Sequence, residues 1–175
     1  FKLSGVDKIN AKRFHTDVTL SYPLENAWGF VTPKVQTMRT QYAFTNLDET
    51  ALEDGYVEEH TRNISISSLE AGIYLERSMS WFNFPFIQTL EPKVMYAHIP
   101  YTDQSEIPIF DTTETTFSYS SLFSPNRFTG NDRVGDTEQV TLGVSSRFIN
   151  DWGSEVFRIS LGQIMYFQDR RVALN

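Results

Sequence analysis

The sequence predicts an all-β fold, an antiparallel meander forming part of a transmembrane outer-membrane β-barrel. Three observations predict it: apolar residues recur with a period of two along several stretches, the links between those stretches alternate between short and long, and the three tryptophans mark the short links. A helical period persists nowhere.

The alternation places the strands in order. From Arg13 to Tyr22, Phe14, Thr16, Val18, Leu20 and Tyr22 alternate with Arg13, His15, Asp17, Thr19 and Ser21. The stretch from Trp28 to Tyr42 reads as a second strand of mixed faces, interrupted by Pro33. Leu69, Ala71, Ile73 and Leu75 alternate with Glu70, Gly72, Tyr74 and Glu76. After Gln88, Leu90, Val94 and Tyr96 share one side and Glu91 and Lys93 the other, with Pro92 read as a local bulge because it cannot donate to a ladder. Val140, Leu142, Val144 and Phe148 alternate with Gln139, Thr141, Ser145 and Arg147. Phe157, Ile159, Leu161, Met165 and Phe167 alternate with Arg158, Ser160, Gly162 and Tyr166. About seven strands, many of ten residues or more, exceed the soluble mean of about five or six.

Short links fall at Leu24 to Asn26, at Ser78 to Phe84 and at Asn150 to Gly153. Long ones run from Ala43 to His60 and from Tyr101 to Asp136. Short turns at one end and long loops at the other are how outer-membrane barrels are built. Trp28, Trp81 and Trp152 lie beside the short turns, joined by Tyr22, Phe82 and Phe84, and so predict an interfacial girdle at one level of a barrel. Inward side chains of such a barrel meet water, which makes Asp17, Glu70, Glu91, Lys93, Arg147 and Arg158 lumen-facing candidates. The same alternation is compatible with the solvent face of an open sheet.

Composition narrows the function. The 175 residues suffice for one barrel domain spanning 1–175, and a start at Phe1 reads as part of something longer. No apolar run could cross a membrane as a helix, so any span is made of strands. A net charge of −7 with 15 scattered basic residues argues against nucleic acid as partner. Without cysteine there are no thiolate sites or disulfides here, and His15, His60 and His98 are not spaced as a metal cluster. No nucleophile motif or phosphate-binding loop appears, so neither an enzyme nor a cofactor is expected. The carboxylates from Asp48 to Glu59 read as a solvated loop, with a divalent-cation site as the alternative. Asp132 and Arg133 are read as a pair that orders the long loop into a barrel mouth.

At Gln88 to Thr112 the words QTLEPKVMYAHIPYTDQSEIPIFDT closely resemble the barrel of the LptD family of outer-membrane lipopolysaccharide-assembly proteins. The resemblance continues through Ser121-Leu122-Phe123, Asn126 to Arg133, Glu138 to Arg147 and Ile159 to Phe167, and more loosely upstream. It implies an internal segment of a large closed barrel that receives lipopolysaccharide from periplasmic bridge proteins and inserts it into the outer leaflet. It also implies an LptE-like lipoprotein plug as partner, and an N-terminal periplasmic domain and barrel ends lying outside this chain. A passive outer-membrane porin or channel, and a soluble β-sandwich binding protein, are the alternative readings. Alone, an open set of strands with two unpaired edges and an apolar face is not expected to fold stably.

Overall fold

A computed structural model describes residues 10–45, 58–81 and 84–174. The chain forms an antiparallel sheet with β1 (Asn10–Ser21), β2 (Leu24–Asn26), β3 (Gly29–Thr45), β4 (Glu59–Ile73), β5 (Leu75–Trp81), β6 (Phe84–Ile99), β9 (Thr137–Asn150) and β10 (Glu155–Tyr166). A small hairpin of β7 (Thr113–Glu114) and β8 (Phe128–Thr129) and a 3₁₀ turn at Ser121–Phe123 interrupt the segment between β6 and β9. The path across the sheet is β1-β3-β4-β6-β9-β10, so the order follows the chain as a meander and leaves β1 and β10 at its edges. The sheet is all-β as the alternation requires, and it is open.

Two breaks in this ladder are proline effects. β1 and β2 pair with β3 in one unbroken register, from Asn10 opposite Thr45 to Asn26 opposite Gly29, and are separated only at Tyr22-Pro23. Pro33 sits opposite that break. Its carbonyl accepts from the Tyr22 amide at 3.0 Å, and the donor it lacks falls where the neighbouring strand is interrupted. Pro33 therefore does not interrupt β3, which runs through it from Gly29 to Thr45. β4 and β5 likewise share one register with β6 and part only at Tyr74, opposite Pro92 and Glu91. The bulge expected at Pro92 is absent: its pairing with Val144 continues without a shift, and the missing donor faces the gap at Tyr74. Tyr74 instead donates its amide to the Trp28 carbonyl at 2.8 Å. The sheet thus amounts to six long staves.

Boundaries differ from the sequence reading in two more places. Leu24 to Asn26 is a strand and the turn is Ala27-Trp28, with the Asn26 side chain accepting from the Trp28 and Gly29 amides at 3.0 Å each. Ser78 to Trp81 also belongs to a strand, and the link there reduces to residues 82–83, outside the described residues. The third short turn, 151–154, is as expected; Asn150 caps it and Gly153 takes φ 78°, a conformation that favours glycine.

The two faces of the sheet differ. On the open face Val31, Val35, Leu69, Ile73, Leu90, Val94, Tyr96, Leu142, Ile159 and Leu161 are exposed. Toward the long-loop end the same face turns polar, with Arg39 and Gln41 on β3 beside Asn63 and Ser65 on β4. Toward the short turns the band is bounded by Arg77, Gln88 and Ser146, joined by hydrogen bonds of 2.6 and 3.0 Å. The opposite face carries the segment 100–136, and both buried apolar clusters lie between that segment and the strands. Ala11, Tyr42 and Phe44 pack on Ile107; Ile64, Ile66 and Ile99 pack on Val134.

Candidate functional site

The loop-bearing face divides into two halves. In the half nearer the short turns it is a set of polar side chains that the loop leaves largely uncovered. Lys93 Nζ lies 3.0 Å from Glu70 Oε1 across the β4–β6 pair. Arg147 forks onto Glu91 from β9, its Nε at 2.7 Å. Arg158 forks onto Glu155 at 2.6 and 2.9 Å, and Asp17 accepts from Gln36 at 2.6 Å. All six predicted lumen candidates, Asp17, Glu70, Glu91, Lys93, Arg147 and Arg158, therefore share one face, and four of them join in cross-strand pairs. Ser145 and Ser160 hydrogen-bond beside them at 2.9 Å.

In the other half the loop is fastened by a buried ionic network. Asp132 is wholly buried, and its carboxylate accepts from Arg13 at 2.7 Å, from the Tyr42 hydroxyl at 3.1 Å, and from the Phe110 and Asp111 amides at 2.8 and 2.7 Å. Arg62, 2 % exposed, donates to the Asn131 and Asp132 carbonyls at 2.5 and 2.6 Å and to Gln104 Oε1 at 2.8 Å. Gln104 returns to the loop through the Val134 amide and carbonyl. Arg13 also reaches Asp111 at 2.6 Å, and this guanidinium holds the Asp111 carboxyl well below the usual carboxylate range. A guanidinium buried this deeply is tolerated only because carbonyls and amides surround it. Asp132 does not pair with Arg133 as the sequence suggested: its carboxylate turns to the strands, and Arg133 donates to the Asp132 carbonyl at 3.2 Å.

A third anchor needs small residues. Phe30, Gly72, Lys93, Gly143 and Gly162 stand opposite one another across five strands. A Cβ at Gly143 would lie 2.6 Å from the Phe123 ring and 2.8 Å from the Tyr119 hydroxyl, and one at Gly162 would lie 2.6 Å from Leu122. The 3₁₀ turn rests directly on bare backbone. Thr141 Oγ1 donates to the Leu122 carbonyl at 3.0 Å, and Lys93 Nζ sits 3.8 Å from the centre of the Phe123 ring. Burial of Tyr119 in this contact raises its phenol pKa.

Of the aromatic candidates, Tyr22, Trp28, Phe84 and Trp152 are exposed at the short-turn end, Trp152 by 86 %, while Trp81 closes β5. They are staggered along the strands. Phe84 and Trp152 flank the same end of the β6–β9 pair, but Trp28 adjoins Gly29, whose partner Ile73 falls about eight residues before Trp81, on the order of 26 Å along the strand. His60 lies 3.4 Å from Glu106, and no metal-ligating group of three occurs among the described residues. The acidic loop from Asp48 to Glu59 falls outside the described residues except for Glu58 and Glu59. Sequence reasoning missed Arg62, Tyr42 and Gln104; the one signal was an arginine beside Ile64 and Ile66 in the same alternating register.

An open antiparallel sheet, apolar on one side, with paired charges and an anchored loop on the other, defines the class: an all-β fold consistent with a fragment of a β-barrel. The comparisons then name the family. The model of LPS transport system D, LptD, matches residues 1–175, and the chain belongs to that family. It is 42 % identical over 177 residues to the LPS-assembly protein LptD of Pseudomonas savastanoi pv. phaseolicola and to that of Pseudomonas syringae pv. tomato. It is 41 % identical to that of Pseudomonas aeruginosa; each alignment covers 98 % of this chain and 19 % of the relative. The chain spans about a fifth of the length of these relatives.

Proposed function

We propose that this chain is an internal stretch of the wall of the outer-membrane lipopolysaccharide translocon, the barrel that receives lipopolysaccharide from the periplasm and inserts it into the outer leaflet. The observation that carries the reading is the pairing of an exposed apolar band on one face with a loop sealed onto the other, in a chain of the LptD family. The open face meets lipid and the loop-bearing face lines the lumen, with loop 100–136 at the cell-surface end. A charge on the lipid face at mid-depth would cost roughly 2–4 kcal/mol, and Asp17, Glu70, Glu91, Lys93, Arg147 and Arg158 avoid that cost by standing on the other side.

Transport across such a wall needs no covalent step; it needs a shielded polar path. The uncovered half of the lumen face supplies paired charges and hydroxyls that can meet a polar headgroup or an LptE-like plug. The covered half closes the barrel toward the outside. Phe84 and Trp152, exposed at the same end of the β6–β9 pair, anchor the wall at the periplasmic interface. Family membership favours this reading over a passive porin and over a soluble sandwich.

Replacing the matching segment of the Pseudomonas aeruginosa relative with these 175 residues tests the reading. The chimera is expected to sustain normal lipopolysaccharide at the surface when the native copy is depleted. A folded, membrane-inserted chimera that leaves surface lipopolysaccharide depleted would count against it.

A further inference from the structure

On the open face, at the short-turn edge of the apolar band, Arg77, Gln88 and Ser146 form a polar step. Arg77 Nε and Nη2 both donate to Gln88 Oε1, at 2.9 and 2.6 Å, and Gln88 Nε2 donates to Ser146 Oγ at 3.0 Å. Among the described residues no carboxylate pairs with Arg77, although Arg13, Arg147 and Arg158 each hold at least one. We infer that this step binds the phosphate of an anionic glycerophospholipid lying against the outside of the wall. The inference rests on the reading of the open face as lipid-facing.

Charge and geometry both select the headgroup. Arg77 is exposed, and its charge at the edge of a hydrocarbon layer calls for an anion. A phosphodiester presents two oxygens that match the fork of a guanidinium. Gln88 holds the Nε edge of Arg77 and leaves Nη1 without a partner among the described residues. Ser146 accepts from Gln88 and keeps its own hydroxyl proton to donate. The cost of an arginine on the lipid face falls toward the membrane surface, which places this step at headgroup level.

The acyl chains have a place on the same face. Leu75 stands opposite Leu90 and Ile159 opposite Ser146, next to the polar step, and Leu75, Leu90 and Ile159 are exposed. Beyond them an apolar hollow of about 1060 Å³ crosses the strands, walled by Val31, Val94, Leu142 and Leu161 over the backbone of Gly143 and Gly162. Val94 lies six residues from Gln88, about 20 Å along the strand, or about 15 Å of depth at a tilt of about 40°. That depth is half of a hydrocarbon core of roughly 30 Å, the reach of one leaflet's chains.

Dioleoylphosphatidylglycerol, dioleoylphosphatidylcholine and chain-free glycerophosphoglycerol are titrated against the full-length protein in detergent and followed by native mass spectrometry. Heat-modifiable gel mobility checks that each variant is folded. The first phosphatidylglycerol is expected to bind about tenfold more tightly than the first phosphatidylcholine, the size of one charge-assisted hydrogen bond, and glycerophosphoglycerol should not be retained. Arg77→Ala should remove the preference and Arg77→Lys restore part of it. Arg39→Ala, on the same face toward the long-loop end, should leave it intact. Equal affinity for the two lipids, an unchanged preference in Arg77→Ala, or glycerophosphoglycerol binding as tightly as the lipid would overturn the inference. Surface lipopolysaccharide in the segment exchange is read separately, so a failed titration leaves the translocon reading standing and a failed exchange leaves the titration standing.

Discussion

The two halves of the loop-bearing face carry the same kinds of side chain and use them differently. Near the short turns, Lys93–Glu70 and Arg147–Glu91 are partly exposed pairs between neighbouring strands. Near the long loop, Arg62 and Asp132 are buried and Arg13 is partly so, and the two arginines reach carboxylates and carbonyls up to 119 residues away. What differs is desolvation. A partly hydrated pair adds little, about 0–1 kcal/mol, whereas removing one member of a buried pair leaves an uncompensated charge and costs about 3–5 kcal/mol. One half therefore contributes little to holding the loop, and the other is committed to it.

Substitutions should expose that difference. The largest effect is expected for Asp132→Ala, which leaves the Phe110 and Asp111 amides without their acceptor and removes one acceptor each from Arg13 and the Tyr42 hydroxyl. Loop closure should lose about 3–5 kcal/mol, read as fast hydrogen exchange across 104–112. Arg62→Leu follows at about 3 kcal/mol, since four acceptors lose their donor and the added apolar atoms cannot replace it. Gly143→Val should cost about 1–3 kcal/mol by driving Phe123 and Tyr119 off the wall, detectable as protease cleavage near Ser124. Glu91→Gln, in the uncovered half, should change thermal stability by less than about 1 kcal/mol. A loss there as large as that of Asp132→Ala would erase the distinction.

The smallest effect is one of pH. The folded Asp111 carboxyl sits below its unfolded value of about 4, so its contribution is complete above that value and drains away as pH falls below it. A nitroxide at the exposed position 113 should stay immobile from neutral pH down to about 4 and gain mobility only below. Mobility already rising near pH 6 would mean that another group controls the loop.

Much of the sheet was legible in the sequence, because side chains on a strand alternate with period two and the two faces of this sheet differ in chemistry. Leu90, Val94 and Tyr96 against Glu91 and Lys93 stand as that rule requires. The first half of β4 was illegible for the same reason: Asn63, Ser65 and Ser67 are polar on the open face, and His60 and Arg62 are polar on the other. Pro92 misled because its missing donor is absorbed by a break in the neighbouring strand, which only pairing reveals. The loop anchor was half visible. Asp132 was singled out, but its partner Arg13 is brought to it by the fold, and local reading supplied the adjacent Arg133 in its place.

The central claim is that loop 100–136 is a fixed part of the lumen wall. Hydrogen exchange on the full-length protein in lipid nanodiscs tests it directly. Amides of Phe110, Asp111, Asp132 and Val134, hydrogen-bonded to Asp132, Thr112 and Gln104, should exchange as slowly as those of β3 and β4. Exchange of those four amides within seconds, while β3 and β4 stay protected, would contradict it.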